Sequence, residues 1–477
     1  MSTHPRGVPL IIYNSSMKTA IVIGAGLAGL SLATELAQEG FQVTVLEKNN
    51  YLGGRASNSI DEKTKDAVPI GPHVFVSCYF NFFKFLQTIG AEQAIEWDDK
   101  VLVEFIHDRK HHQYKIHKRL GKFYIFPWIL QNPLLSWKDK VSTIRATLHT
   151  FSLSQKAIEK LDSMTAYEYL RRQGVSENTI NFVYRFVGLS LINIPLEYCS
   201  AAEFVWLLKE WLRFSPLHFG FAKVGLGDLY THQALSYVKK RKGTVVSSAR
   251  VKDIIFEGDH IQELVVNVDG KDKRMKADVY VSTATPIELR SFLPQEVRFN
   301  QYFRHLNAFE GVPYFSVNLW FDRKISSKKF WALLPTSDTP TVMNTDFYDQ
   351  SNIYTKKREY SFVTSNVIYS KPYTQMSDAE IVKKTLSEVY EAFPDTQAKL
   401  VHSQVNRLPY VIYIPYPGMR KHKLGHTTPY TNFFLSGDWT VKKTQCMETA
   451  VISGYLCAEE ILRKYGIEKK IYSEKGF

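Results

Sequence analysis

The chain has 477 residues, 44% of them hydrophobic and 22% charged, which is the balance of a globular protein with core for two or three domains and excludes a disordered or fibrous chain. Its formal charge of +13 suits an anionic membrane surface or an anionic cofactor; nucleic acid is not expected, because no zinc spacing or RNA-binding aromatic signature accompanies the charge. Four scattered cysteines without a CxxC pair, and no apolar run near the ~18 residues of a spanning helix, exclude a disulfide scaffold and a transmembrane chain and point to a reducing, cytoplasmic setting with no metal site.

In chain order, residues 1–16 read as a loose tail. Ala20-Ile21-Val22-Ile23 then reads as a short buried strand, Gly24-Ala25-Gly26-Leu27-Ala28-Gly29 as a tight turn, and Leu30 to Gln38 as a helix that stops near Gly40. Phe41 to Leu46 is a second strand, ending in Glu47. Strand, glycine turn, helix, strand and acid make a dinucleotide-binding pattern. Gly24 allows the turn, Gly26 lets the backbone approach a pyrophosphate, and Gly29 lets the helix pack close to the strand. The helix N-terminus offers N–H groups and positive dipole to phosphate. Glu47 accepts hydrogen bonds from ribose hydroxyls, and Ala28 and Lys48 complete the candidate cofactor-binding set of this stretch. The continuation, LEKNNYLGGR through Gly53-Gly54-Arg55, resembles the FAD-binding fold of the flavin amine oxidoreductases. That resemblance implies FAD rather than NAD, with Gly54 close to the cofactor and Arg55 giving it a fixed positive charge.

Residues 70–91, IGPHVFVSCYFNFFKFLQTIGA, carry a helical spacing over Phe80–Ile89. They resemble a segment of plant and cyanobacterial carotene desaturases and, less closely, of bacterial hydroxysqualene dehydroxylases. The resemblance implies that His73, Val74 and Tyr79 line the flavin; Pro72 departs from the pattern. Residues 100–125 read as strands of a second domain. The aromatic run Phe123 to Leu130 is bracketed by Lys115, Lys118, Arg119, Lys122, Lys138 and Lys140, and residues 115–140 read as a surface for peripheral membrane docking. Ser136 with Asp139 and Thr165 with Glu168 form capping boxes in a mostly helical stretch over 134–215.

A helix begins at Gly225 and runs into the charged end Lys239 to Lys242, followed by strands over 244–283 with a hairpin turn at Asp269-Gly270. Here the resemblance places the backbone of Val251 against adenine. Val317 to Lys324 resembles a VxxWFDRK strand of phytoene desaturases, which implies a substrate-positioning role for Arg323. Residues 377–393 read as an amphipathic helix with a Ser377/Glu380 capping box. The close of the chain, Phe433 to Thr440 and Met447 to Gly454, resembles the LAGDxT…MEGAVxSG signature of the same superfamily. It implies that Asp438 bonds the ribityl or diphosphate region, that the helix from Met447 points its N-terminus at the flavin, and that Trp439 and Tyr79 help wall the ring. Thr449 replaces the usual glycine.

The fold implied is α/β, with a discontinuous Rossmann-like, glutathione-reductase-like FAD-binding domain (17–99, 225–292 and 425–465) and a second domain of mixed sheet plus helices (100–224 and 293–424). The function implied is FAD-dependent oxidation of a long polyisoprenoid by a phytoene-type carotene desaturase, or reduction by the related hydroxysqualene dehydroxylase, with a quinone as electron acceptor and the enzyme on the cytoplasmic face of a membrane. Two other readings are a flavin amine oxidase, whose aromatic cage is incomplete because Cys446 stands at one of its positions, and a flavin-binding protein without turnover.

Overall fold

A computed structural model describes residues 17–98, 100–115, 118–123, 125–213, 217–336 and 342–474. The tail before Met17, Tyr124 and the side chains of Lys118 and Lys122 lie outside the described residues.

The elements that build the cofactor side are β1 (Thr19–Ile23), α1 (Leu27–Gln38), β2 (Gln42–Leu46), α2 (Phe80–Ile89), β3 (Thr244–Val246), β4 (Val279–Ser282), β5 (Phe433–Leu435) and α3 (Met447–Lys464). The five strands form one parallel sheet in the order β3-β2-β1-β4-β5, drawn from three separated stretches of the chain. A parallel sheet is covered on both faces, which is why β1 and β4 read as unbroken apolar runs. All of β4 is buried, as are Ala20 to Ile23. On one face α1 lies along α3; a Cβ on Gly454 would stand 2.3 Å from the Ser31 hydroxyl and 2.7 Å from the Ala28 carbonyl, so the close approach of the two helices requires glycine there. α1 begins at Leu27, three residues before the sequence reading, because the last residues of the glycine turn are already helical. α2 has the expected bounds and ends at Gly90 in the left-handed region (φ 74°).

A second, mixed sheet of seven strands runs Leu400–Tyr413, Gly311–Phe321, Phe362–Val367, Asp346–Asp349, Phe330–Leu333, Val101–His107 and Lys110–Lys115. All its pairs are antiparallel except Phe330–Leu333 beside Val101–His107. The amphipathic helix Asp378–Ala392 covers one face through Ile381 and Val389 and opens on the expected capping box. Strands Ala249–Glu257, His260–Val268 and Lys271–Met275 make a separate antiparallel meander, with Asp269 and Gly270 both at positive φ (50° and 82°) as a two-residue hairpin demands. Phe219–Ala222, at the end of the 100–224 stretch, pairs with Phe75–Val76 and Ile95–Asp98 and so ties that stretch to the cofactor side.

Helices fill 125–213, and the boxes at Ser136/Asp139 and Thr165/Glu168 are both formed. This layer is tied to the C-terminal stretch by a buried charge cluster. Glu203 accepts hydrogen bonds from Arg420 (3.1 Å) and Lys423 (3.2 Å), and the two cations hold its carboxyl below the usual range against the effect of burial. Among the described residues no helix is long and apolar enough to cross a membrane.

Candidate active site

β1 ends in the glycine turn, and the three glycines meet three different surroundings. Gly24 sits at φ +106°, its N–H donating to the Leu46 carbonyl at 2.7 Å. A Cβ on Gly29 would stand 2.0 Å from the Gly24 carbonyl oxygen, so this glycine is fixed by helix–strand packing. A Cβ on Gly26 would meet no protein atom within 4 Å, although its backbone (φ −80°) suits any residue. The space in front of Gly26 is where a phosphate would approach. α1 has no side-chain cap and no acid in its first turn, so its first N–H groups are left to a ligand.

Around this turn the other motif residues converge. Glu47 is buried; one oxygen accepts the Ala25 N–H (3.0 Å) and the other accepts the N–H and side-chain amide of Asn49, both at 2.9 Å. The acid thus braces the turn with its carboxylate, while its carbonyl accepts the Ala249 N–H and brings the strand of Val251 alongside. Gly53 (φ +101°) and Gly54 (φ +60°) fold back on the turn: Gly53 bridges to Gly26, and a Cβ on Gly54 would stand 3.4 Å from the Gly26 Cα. Tyr230, which sequence reasoning did not single out, holds this second loop, its hydroxyl bonding the carbonyls of Gly53 (2.9 Å) and Ala56 (2.7 Å). Its contacts are remote in sequence, and no local motif marks it.

Arg55 and Asp438, 383 positions apart, form an ion pair at 2.8 Å, and Arg55 also donates to the Val411 carbonyl at 2.7 Å. Behind Asp438, Gly437 donates its N–H to the Ser453 hydroxyl on α3 (2.6 Å). Trp439 is buried, donates its indole N–H to the Ala284 carbonyl (3.1 Å) and packs edge-on against Phe309. Cys446 begins α3 without capping it, and Met447 is the first helical residue. Glu448, also missed by sequence reasoning, turns away from its own helix end. Its carboxylate accepts the backbone N–H groups of Asn81 (3.0 Å) and Phe82 (2.7 Å) and the Asn81 amide (2.8 Å), capping α2 from another helix and fixing Tyr79 at its start. Burial nevertheless pushes Glu448 up to about 7. Tyr79 is buried and bonds Cys446, and burial raises its hydroxyl far above the ordinary value. His73 bonds the Gly71 carbonyl through Nδ1 (2.6 Å); burial, and then the charge of Arg55, lower its pKa and favour the neutral ring.

Two candidate residues stand apart from this cluster. Lys48 points outward and pairs with Glu288. Arg323 is the residue to which the resemblance gives a substrate-positioning role. Its side chain is 61% exposed and paired with Asp322 at 3.1 Å, and Asp322 accepts the Lys399 N–H. Lys399 leads into the neighbouring strand Leu400–Tyr413, which Arg55 meets near its other end, at Val411.

Between the cofactor side and the mixed sheet lies a pocket lined by Gly71, Pro72 and His73 on one side and Tyr348, Ile353 and Tyr354 on the other, with Phe221 and Leu226 closing it. The lining is mostly apolar and aromatic.

The family model of the flavin containing amine oxidoreductases matches residues 27–462. The chain is 26% identical over 471 residues to the 15-cis-phytoene desaturase of Synechococcus elongatus, covering 94% of this chain and 96% of that one. It is 27% identical over 469 residues to the chloroplastic/chromoplastic 15-cis-phytoene desaturase of Narcissus pseudonarcissus, covering 93% and 79%. Among solved structures, wild-type putrescine oxidase bound to putrescine superposes with a TM-score of 0.71 at 14% identity, over 94% of this chain and 99% of that one, a likeness of fold alone. With its glycine cradle, the Arg55–Asp438 pair and a family match that runs from the first helix to the last, the chain belongs to the flavin containing amine oxidoreductases.

Proposed function

We propose that the protein is an FAD-dependent desaturase of a long apolar polyisoprenoid, of the phytoene type. The observation that carries this reading is the match along nearly the whole chain: the family model spans residues 27–462, and curated relatives over 93–94% of its length are 15-cis-phytoene desaturases. Bound FAD supplies a two-electron acceptor for hydride. The residues around it have separate tasks. Gly26, Ala28, Gly29 and the α1 N-terminus take the pyrophosphate, with Gly54 stacked on the turn. Glu47 takes the adenosine ribose, and the backbone at Val251 takes adenine. Arg55 and Asp438 hold the diphosphate and ribityl part. Tyr79, Val74, neutral His73 and the α3 N-terminus at Met447 surround the ring, where the helix dipole favours negative charge. The cofactor domain is then 17–99, 225–292 and 425–465, and 100–224 with 293–424 forms the substrate side. Stopped-flow mixing of the FAD-loaded protein with phytoene, ζ-carotene and a primary amine tests the reaction class. The polyenes are expected to bleach the flavin; bleaching by the amine alone overturns the reading.

We further propose that the substrate arrives from a membrane that the protein meets peripherally, and that a membrane quinone reoxidises the flavin. The support is a row of exposed apolar side chains beside exposed cations. Phe123 is 54% exposed and Leu130 44%; on the helix Trp137–Ser152, Trp137 (73%), Val141 (63%) and Leu148 (52%) share one face. Lys115, Arg119 and Lys138 are exposed nearby. Trp128 and Ile129, expected on this surface, turn inward: Trp128 stacks on Tyr114 and donates to the Lys115 carbonyl, and Ile129 is buried. Phe123→Ser with Trp137→Ser is expected to weaken binding to anionic liposomes by roughly tenfold or more. Unchanged sedimentation with the liposomes would remove this surface from the account.

A further inference from the structure

The strand Asp346–Asp349 carries a buried carboxyl that none of the contacts above explains. Asp346 is 3% exposed. Its polar side-chain partners are the Asn366 amide, donating at 2.8 Å, and the Tyr348 hydroxyl, donating at 3.3 Å; no cation is among them. Burial pushes the carboxyl up to about 7, with those two hydrogen bonds pulling the other way.

Tyr348 connects this acid to the pocket. It lines the pocket opposite His73 and packs in one apolar cluster with Phe221, Ile353 and Val74. On the far side of Asp346 the arc continues: Asn366 accepts from the Tyr314 hydroxyl, and that hydroxyl stands 2.9 Å from where a Cβ on Gly71 would lie. Hydrogen-bonded groups therefore run from Tyr348 in the pocket lining through Asp346 and Asn366 to Tyr314, which ends against Gly71 in the segment that carries His73. The groups facing Asp346 are few. Tyr348 is on its own strand, Asn366 on the neighbouring strand, and Tyr314 one strand further; the strand on its other side, Phe330–Leu333, has no titratable residue. Both tyrosines have their pKa raised well above 10, so each stays neutral where Asp346 titrates. Asp349 points to the other face of the sheet, into Ser351 and Ser361.

We propose that Asp346, reached through the Tyr348 hydroxyl, is the proton acceptor of the desaturation. The inference rests on the reading of the reaction given above. One allylic C–H bond breaks with its electron pair, which leaves as hydride to oxidised FAD. The C–H bond on the adjacent carbon breaks the other way: its electron pair becomes the new C=C bond and its proton passes to the Tyr348 oxygen. The hydroxyl proton of Tyr348 moves at the same time to the Asp346 carboxylate, so Tyr348 ends neutral and Asp346 protonated. An acid that titrates near neutrality is the kind of base this step needs. Of the polar side chains in the lining, His73 bonds the Gly71 carbonyl and Tyr354 the Ala67 carbonyl, whereas Tyr348 bonds a buried carboxyl.

The test uses the FAD-loaded protein with phytoene, followed by stopped flow from pH 5.5 to 9. In the wild type the bleaching rate is expected to rise about tenfold per unit below pH 7 and then level. Asp346→Asn is expected to be slower by about 100-fold and flat with pH. Tyr348→Phe, which keeps the ring packed, is expected to behave the same way and carries the kinetic test if Asp346→Asn fails to fold. Asp346→Glu is expected to recover part of the rate with the rising limb displaced. A readout outside turnover is the infrared spectrum of the resting protein, where one carboxylic C=O band titrating near pH 7 should vanish in Asp346→Asn. A wild-type pH limb that survives in Asp346→Asn, or a spectrum unaltered by that change, overturns the proposal. A flavin that no polyene bleaches overturns the reaction instead, and the infrared band still decides whether Asp346 titrates near neutrality.

Discussion

Gly26→Val is expected to yield a folded, colourless protein, and Gly29→Val no folded protein at all. The two glycines lie three positions apart in one motif, and the contrast follows from what each faces. At Gly26 the backbone is extended and a new side chain would meet no protein atom within 4 Å. Valine there leaves the apoprotein's contacts intact and fills the space the pyrophosphate needs. FAD retention should fall at least 100-fold, while the far-ultraviolet circular dichroism and the apoprotein melting temperature stay near wild type. At Gly29 a Cβ would lie 2.0 Å from the Gly24 carbonyl oxygen, which belongs to the turn itself and cannot move without breaking the Gly24–Leu46 hydrogen bond. Overpacking of side chains alone costs about 1–3 kcal/mol, and here the obstacle is backbone. Flavin absorbance and thermal melting of the two variants decide the matter. A yellow Gly26→Val protein would remove the phosphate from the front of Gly26.

Much of the fold could be read from the sequence where the governing interactions are local. The strand–turn–helix of residues 19–38, the helix Phe80–Ile89, the capping boxes at Ser136, Thr165 and Ser377 and the hairpin at Asp269-Gly270 each rest on contacts within a few residues. What escaped depends on partners far along the chain. Trp128 is apolar and flanked by cations, yet Tyr114 and the Lys115 carbonyl draw it inward. Arg323 follows a recognisable strand, but it lies two residues past the end of Gly311–Phe321, where it pairs with Asp322 and is exposed. Glu448 lies inside a motif that sequence analysis had quoted. Its role is visible only because α3 and α2 meet, so that a carboxylate from one caps the other. Tyr230 and Asp346 carry no signal in their own neighbourhoods.

The buried acids of this protein make its stability fall as pH rises through neutrality, the reverse of the usual behaviour of paired surface carboxylates. Burial pushes Asp346, Glu388 and Glu448 up to about 7 and Asp349 up to about 6. In the unfolded chain these groups ionise near 4. Between the two values the folded protein keeps protons that the unfolded chain has released, so each increment of pH favours unfolding. Their contribution is complete below about pH 4 and is lost as pH rises through 6 to 7. Two sets of groups act in the opposite sense at lower pH. Asp66 and Glu203, held down by Arg358 and by Arg420 with Lys423, lose their contribution as pH falls into the carboxylate range. His73 and His426, whose pKa burial lowers, are disfavoured once the unfolded imidazoles take up protons, below about 6.5. The unfolded imidazoles release the rest of their protons within about a unit above that value and offset part of the loss from the raised acids; one pKa unit corresponds to about 1.4 kcal/mol. The FAD-loaded protein should therefore lose on the order of 1–2 kcal/mol of stability to guanidinium between pH 6.5 and pH 8. Glu388→Gln keeps one acceptor oxygen and turns an amide group towards donors the other oxygen accepts, so it should lower stability at both pH values, yet shrink the difference between them by deleting one of the four titrations. Denaturant midpoints at the two pH values in the wild type and in Glu388→Gln measure both effects, and a wild-type midpoint that holds steady or climbs over this range would mean that these carboxyls are ionised in the folded state.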